Sequence, residues 1–269
     1  MKKMILLVFS VFFLGSASAQ MDDKFYYPDK DLLPVNIPHY SEIVLLAEQD
    51  TIYSAWIEPE RPAKATILYF HGNGGNISKW MDHVKPLVDD GFQVCVMDYR
   101  GYGKSTGTPT HINIAQDAQL LVDTLFKKPE VQHVPFIVYG ASIGTQVATN
   151  ITRNNQDRIS ALVLDGMMAS FTDVALATSP PEYHSAIKQF VISPYSAMDN
   201  IQYINNIRLL VIHSEEDPIP IAGARAVYEK ATCSKEFWLY EGKHIQAAIL
   251  YPDQMVNCIN KLYHYSLEQ

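Results

Sequence analysis

Short apolar runs alternate with longer amphipathic stretches from residue 40 onward, and this alternation limits the fold more than any other feature of the chain. The runs are typical of buried strands because they are rich in β-branched and aromatic residues; they lie at 65–70, 92–98, 136–140, 161–166, 208–213 and 236–240. Helical spacing is clearest at 77–91, 112–126 and 143–154. A polar turn, Glu48-Gln49-Asp50, within residues 41–58 predicts a hairpin before them. The sequence therefore predicts an α/β fold with a mostly parallel central sheet of about eight strands and helices on both faces.

Residues 167–207 interrupt this alternation. They contain Pro180-Pro181 and Pro194 and offer two short helical patterns, near 170–178 and 182–192. A structureless connection of this length is uncommon inside a compact domain. We therefore expect a short helical lid inserted into the α/β domain.

The first residues form a separate unit, MKKMILLVFSVFFLGSASAQ. Lys2 and Lys3 precede an apolar run at 4–14, and Ala17-Ser18-Ala19 offers a small-residue cleavage site. The apolar run is shorter than the roughly 20 residues that span a bilayer. We therefore expect a signal peptide at 1–19 and a domain at 20–269 that is exported, periplasmic or secreted, and not stably inserted into a membrane.

The charge balance argues against polyanionic partners. Residues 1–19 contain two lysines and no acidic residue, which leaves 19 basic residues against 29 acidic ones in the rest of the chain. A chain this acidic, without a basic block, is a poor ligand for nucleic acid or for an anionic membrane surface. We expect no nucleic-acid partner and a monomeric protein. The nine histidines are scattered, and no H-E-x-x-H or paired-cysteine spacing occurs, so we expect no metal site.

The chain has three cysteines, and their number is odd. Cys95 lies in the apolar run FQVCVM and is interpreted as a small core residue. Cys233 and Cys258 flank the last predicted strand and could pair, since an exported protein permits disulfides. Sequence alone does not fix the connectivity, so this pairing stays open.

The strongest chemical signal is Gly140-Ala141-Ser142-Ile143-Gly144, where a predicted strand meets a predicted helix. G-x-S-x-G in this context is typical of a sharp turn that lifts a serine hydroxyl out of the sheet edge. Side chains at 140 and 144 would collide as the strand and the helix close on each other. Ser142 is therefore the candidate nucleophile.

A serine nucleophile needs a base to take its proton. His244 follows the last predicted strand, at the same carboxyl edge of the sheet as Ser142, and is the candidate base. His213 ends the preceding strand and is interpreted as a structural, hydrogen-bonded residue. His71 is interpreted as a brace of its own loop.

The base in turn needs a carboxylate that orients it. Asp217 lies four residues beyond His213, where the chain leaves the sheet, and is preferred on strand-end geometry and chain order. Glu215 and Glu216 are solvated alternatives, and Asp165, at the end of the predicted strand 161–166, is the other alternative.

The order Ser142, Asp217, His244 on alternating strands and helices resembles the α/β-hydrolase fold over residues 41–265. FHGNGGN at 70–76 is similar to the H-G-x-G-type oxyanion loop of that superfamily, and DYRGYGKSTG at 98–107 to its D-x-R-G-x-G-x-S turn, a structural signature without catalytic duty. Within the superfamily the chain most resembles small-lid serine hydrolases, which include depalmitoylase-like and aminopeptidase-like members.

The glycine-rich loop gains its meaning from this resemblance. Its G-x-G-G spacing matches neither a dinucleotide fingerprint nor a phosphate loop with its lysine. The resemblance implies that the loop helps to stabilise a tetrahedral oxyanion, with one N–H donor from the loop at Asn73 and a second from Ile143, the residue after the nucleophile.

The sequence thus predicts a serine hydrolase that cleaves esters or thioesters of a small acyl substrate without a cofactor. A serine aminopeptidase is the alternative within the class, and it would need an acidic anchor for the substrate amine. A catalytically silent binding module on the same fold is the alternative outside it. Apolar residues of the lid are expected to wall part of the acyl pocket; they are Met167, Met168, Phe171, Leu176, Phe190, Ile192 and Tyr195.

Overall fold

A computed structural model describes residues 21–266 and has one large sheet at its centre. Its strands β1 to β8 span Tyr40–Ala47, Asp50–Ile57, Thr66–Phe70, Gln93–Met97, Phe136–Ala141, Ala161–Asp165, Arg208–Ser214 and Ser234–Tyr240. The strand order is β8-β7-β6-β5-β3-β4-β2-β1, and β2 alone runs in the opposite direction to the other seven strands. The predicted α/β class and the mostly parallel eight-stranded sheet are confirmed.

Ten α-helices surround the sheet in this part of the chain. Helices α1 to α10 span Ile77–Asp89, His111–Leu125, Pro129–Gln132, Gly144–Asn155, Phe171–Thr178, His184–Phe190, Ala197–Asn200, Ile221–Lys230, Ala247–Leu250 and Pro252–Ser266. Helix α1 begins where the Asn76 side chain accepts a hydrogen bond from the Ser78 N–H. Thr110 and Asn113 cap α2 reciprocally.

The sheet separates two hydrophobic cores. Alternate residues of β3 show this division, since Leu68 and Phe70 belong to one cluster and Ile67 to the other. The division also decides the open question of the disulfide. Cys233 packs in the first cluster and Cys258 in the second, and both are free thiols. The pairing of these two cysteines is therefore absent, because the sheet lies between them.

The segment 167–207 contains α5, α6 and α7, and it packs against α2 and α4. Gln146 of α4 is fully buried; its side-chain amide donates to the Met168 carbonyl (2.7 Å) and accepts from the Ala197 N–H (2.9 Å). The Phe171 ring stacks on His111 at the start of α2, with 3.6 Å between ring centroids. These contacts hold the segment down on α2 and α4.

The parallel strands deliver the candidate residues to one place. Strands β3, β5, β6, β7 and β8 end at the same edge of the sheet. Asp165 is the last residue of β6, and the loops after the other four strands carry the glycine-rich stretch, Ser142, Asp217 and His244. Ligand sites of open α/β sheets lie at this carboxyl edge.

Within residues 21–266, none of the helices combines the length and the apolar character that crossing a membrane requires. The signal peptide predicted at 1–19 lies outside the described residues.

Candidate active site

Ser142 occupies a strained turn between β5 and α4. Its φ is 53°, a left-handed conformation that residues other than glycine seldom adopt. A Cβ on Gly140 would lie 2.5 Å from the Gly144 carbonyl oxygen, and a Cβ on Gly144 would overlap the carbonyl oxygen of Phe70. The two glycines therefore permit the close strand–helix contact that raises the serine, as the sequence predicts.

The structure brings the three candidate triad residues into one hydrogen-bonded chain. His244 Nε2 lies 2.9 Å from Ser142 Oγ, and His244 Nδ1 lies 2.6 Å from Asp217 Oδ2. Since a carboxylate only accepts, Nδ1 carries the proton and Nε2 is free to accept the proton of the serine hydroxyl. The Asp217 side chain is fully buried and its Oδ1 accepts from the Ile219 N–H (2.8 Å), so both carboxylate oxygens are held.

The alternative acids occupy other environments. Asp165 is buried; its Oδ2 accepts from the Tyr139 hydroxyl (2.8 Å), and it makes no hydrogen bond to His244. Burial raises the pKa of the Asp165 carboxyl to about 7, although the hydrogen bond from Tyr139 acts in the opposite direction. Glu215 and Glu216 are exposed.

The two other histidines of this edge do not contact Ser142. His213 is buried, bonds the Ile219 carbonyl through Nε2 (3.1 Å), and has its pKa lowered by burial. His71 is also buried, and its Nδ1 lies 2.7 Å from the Gly72 carbonyl oxygen. Both are tied to the main chain, as expected of structural residues.

The glycine-rich loop runs directly beside Ser142. A Cβ on Gly72 would lie 3.5 Å from Ser142 Cβ and 2.9 Å from the Trp80 ring, so the loop has no room for a side chain there. Over residues 21–266, no protein acceptor takes up the N–H of Asn73 or of Ile143. The Ser142 N–H, by contrast, donates to the Asp165 carbonyl at 2.8 Å. Two unpaired N–H donors are thus present, one on the residue after Ser142 and one on Asn73, which lines the same cleft as Ser142.

A cleft of about 370 Å³ opens onto Ser142 and His244. Its other lining residues are Gly72, Asn73, Gly74, Trp80, His83, Ile245, Gln246 and Ile249. Helix α1 and the turn that leads into α9 therefore form its walls. No carboxylate is among the described residues that line it.

The predicted acyl wall from residues 167–207 is wrong for this cleft. Met167 and Phe171 are fully buried in the core, whereas Ile192 is half exposed, and no residue of the segment lines the cleft. The physical reason is that Gln146 of α4 bonds the main chain of this segment at Met168 and Ala197. The segment therefore packs beside α4 and does not line the cleft.

Sequence reasoning missed the walls that do line the cleft. Trp80 lies one turn after the glycine-rich loop, and its Nε1 donates to the Gly74 carbonyl (3.0 Å). His83 lies one turn further, and its Nε2 is 3.2 Å from the carbonyl of Ile245, whose φ of 56° is rare for a β-branched residue. The sequence feature that could have indicated these residues is the position of α1. This helix begins immediately after the glycine-rich loop, so its first turns lie next to that loop.

No cluster of three or more histidine, cysteine or acidic side chains suited to a metal ion occurs among the described residues. The arrangement that is present suits nucleophilic attack by a serine.

Comparisons with known proteins place this geometry in context. The family model described as serine aminopeptidase, S33 matches residues 61–184, a range that includes Ser142 and ends before Asp217 and His244. The uncharacterized protein YfhR of Escherichia coli (strain K12) is 30% identical over 248 residues, which cover 87% of this chain and 86% of YfhR.

Two further proteins carry names that describe activities. The lysophosphatidylserine lipase ABHD12 of Bos taurus is 32% identical over 191 residues, covering 64% of this chain; the chain spans about half of that lipase, 46% of its length. The solved structure of the Pyrococcus furiosus esterase Pf2001 superposes with a TM-score of 0.71 at 19% identity, covering 88% of this chain and 98% of that one.

Proposed function

Because the chain belongs to the α/β-hydrolase superfamily, we propose that it is a serine hydrolase that cleaves carboxylic ester or thioester bonds through an acyl-enzyme. The observation that carries this proposal is the hydrogen-bonded chain from Asp217 through His244 to Ser142, beside the unpaired N–H groups of Asn73 and Ile143. A nucleophile, its base, an orienting acid and two oxyanion donors are the parts that acyl transfer requires.

In the proposed mechanism Ser142 Oγ attacks the acyl carbon while His244 Nε2 takes the hydroxyl proton. Negative charge then develops on the carbonyl oxygen, where the N–H groups of Asn73 and Ile143 stabilise it. His244 passes the proton to the leaving group, and Asp217 stabilises the imidazolium form meanwhile. A water molecule then gives a proton to His244 Nε2 and attacks the acyl carbon, and His244 returns that proton to Ser142 Oγ as the bond between Oγ and the acyl group breaks.

The composition of the cleft favours an ester or thioester over a peptide with a free amino terminus. An aminopeptidase needs a negative group to hold the substrate ammonium, and none of the described residues that line the cleft carries one. Trp80, Ile245 and Ile249 instead offer apolar surface beside Ser142. The names of the ABHD12 relative and of the Pf2001 structure, a lipase and an esterase, support the same choice. The description of the matched family model keeps the aminopeptidase as the second candidate.

We expect short to medium acyl groups to be preferred. Each methylene that the cleft buries contributes roughly 0.8 kcal/mol, so kcat/KM should rise with chain length until the apolar wall ends. A cleft of about 370 Å³ with one wall at the half-exposed Ile249 is too small to enclose a long chain. A p-nitrophenyl ester series from acetate to palmitate, assayed beside matched thioesters and aminoacyl amides, measures this profile.

The Ser142→Ala protein, prepared in parallel, is the control for contaminating esterases. A maximum at short or medium length, with thioesters cleaved and amides untouched, supports the proposal. Brisk cleavage of aminoacyl amides without ester turnover would instead favour the peptidase, and a profile that still rises at palmitate would require a longer lipid groove than this cleft.

A further inference from the structure

Four consecutive carbonyl groups of the glycine-rich loop are anchored from outside the loop or by its own histidine. Tyr99 donates to the His71 carbonyl (2.7 Å), and His71 Nδ1 donates to the Gly72 carbonyl (2.7 Å). The Tyr102 hydroxyl donates to the Asn73 carbonyl (2.6 Å), and Trp80 holds the next one, at Gly74. Every peptide plane from residue 71 to residue 75 is therefore fixed through its oxygen.

The anchor at Asn73 is doubled by the N-terminal segment, residues 21–33. The Tyr27 N–H donates both to the Asn73 carbonyl (3.0 Å) and to the Tyr102 hydroxyl (2.9 Å). Tyr27–Pro28 also pairs as a short parallel bridge with Gly74–Gly75. The segment is itself held down, since Asp22 accepts from the His111 N–H (2.8 Å) and the Asp29 carbonyl from the Gly103 N–H (2.9 Å).

These anchors matter because the glycines leave the backbone of the loop free to rotate. Gly72 and Gly74 flank Asn73, and glycine backbones rotate more freely than those of other residues. A carbonyl and the following N–H belong to one rigid plane, so holding the Gly72 oxygen aims the Asn73 N–H, and holding the Asn73 oxygen fixes the next plane. Tyr102 is fully buried, and burial raises the pKa of its phenol, so its hydroxyl keeps the proton that it donates.

We propose that Tyr99 and Tyr102 are positioning residues of the oxyanion hole. They hold the peptide planes on either side of the plane that carries the Asn73 N–H, and Tyr102 does so together with the main chain of Tyr27. This gives the DYRGYGKSTG stretch at 98–107 a part in catalysis beyond that of a structural turn. The inference rests on the proposed function, because an oxyanion hole is needed only if Ser142 attacks an acyl carbon.

The test is the change Tyr102→Phe, which keeps the ring in the core and removes only the hydroxyl. A donor that is displaced from the developing oxyanion stabilises the transition state less, whereas the affinity for the substrate is unchanged. Removal of an oxyanion donor lowers kcat by about 10²–10³-fold, so a loosened donor should lower it by roughly 10- to 100-fold. KM should stay within about twofold, since the interaction forms only in the transition state.

An inhibitor pair separates positioning from stability. A trifluoromethyl ketone with the acyl chain of the preferred ester forms a tetrahedral adduct on serine, whereas the matching methyl ketone reports ground-state binding. We expect Tyr102→Phe to weaken binding of the trifluoromethyl ketone by the same factor by which it lowers kcat. Binding of the methyl ketone should be unchanged. Tyr195→Phe is the matched control, because its hydroxyl donates to a main-chain oxygen, that of His111 (3.0 Å), outside the cleft.

Equal kcat values in Tyr102→Phe and Tyr195→Phe would overturn the inference. So would a Tyr102→Phe protein in which only KM and the midpoint of urea unfolding change, with kcat unaffected. If Tyr102→Phe does not fold, Tyr99→Phe carries the same test through the His71 carbonyl. A different result would contradict the proposed function, namely ester turnover that persists in Ser142→Ala. Turnover that depends on Ser142 but is indifferent to both tyrosines refutes the positioning role only.

Discussion

Ser142→Ala and His244→Ala should each lower kcat on the preferred ester by about 10⁶-fold, the scale on which the nucleophile or base of such a triad acts. The reason is the 2.9 Å contact between His244 Nε2 and Ser142 Oγ: without the histidine the hydroxyl keeps its proton, and without the hydroxyl there is no nucleophile. The double variant should be scarcely slower than either single variant, since the two residues act as one unit.

Steady-state rates of the two single variants and the double variant measure this directly. Ser54→Ala and His133→Ala are suitable controls: the buried Ser54 hydroxyl has no partner in the described structure, and His133 is exposed. Both should retain the activity of the unchanged protein. Losses that multiply in the double variant would show that one of the two residues has another role.

Asp217→Asn should lower kcat by about 10⁴-fold while the protein stays folded, as expected when only the orienting acid of a triad is neutralised. Asp217 Oδ2 accepts the proton on His244 Nδ1 at 2.6 Å. An asparagine amide that donates there would favour the tautomer with the proton on Nε2, and that nitrogen could no longer accept from Ser142.

Asp165→Asn provides the matched comparison, because Asp165 is an equally buried carboxyl at the neighbouring strand end. It accepts a hydrogen bond from the Tyr139 hydroxyl and makes none to His244, and an asparagine amide oxygen can still accept from Tyr139. We therefore expect kcat to change by less than about tenfold. Parallel kcat measurements with circular dichroism as the check of folding decide the assignment. A severe loss in Asp165→Asn beside a nearly unchanged Asp217→Asn would transfer the role of the acid to Asp165.

The parts of this fold that follow from local pattern were predictable from the sequence. Buried strands are continuous apolar runs, and parallel strands end at one edge, so the sequence alone predicts that Ser142, Asp217 and His244 lie at the same edge. The glycines at 140 and 144 gave the same indication, because only a close strand–helix turn needs both.

The parts that depend on distant polar contacts were not predictable in this way. The segment 167–207 is held down by the buried Gln146, and nothing in the period of its apolar residues reveals where it docks. The walls of the cleft depend on which face α1 presents, which brings Trp80 and His83 to the serine. Similarly, the separation of Cys233 from Cys258 depends on which face of the sheet the last helix covers.

The most direct measurement of the central claim is labelling with a fluorophosphonate probe, followed by mass spectrometry of the labelled peptide. Such a probe reacts with a serine only where a base activates the hydroxyl. The proposed mechanism predicts one label per chain on Ser142, much slower labelling of His244→Ala, and none of Ser142→Ala. Absence of any label on the folded, unchanged protein, or a label that persists in Ser142→Ala, would contradict it and favour a catalytically silent module.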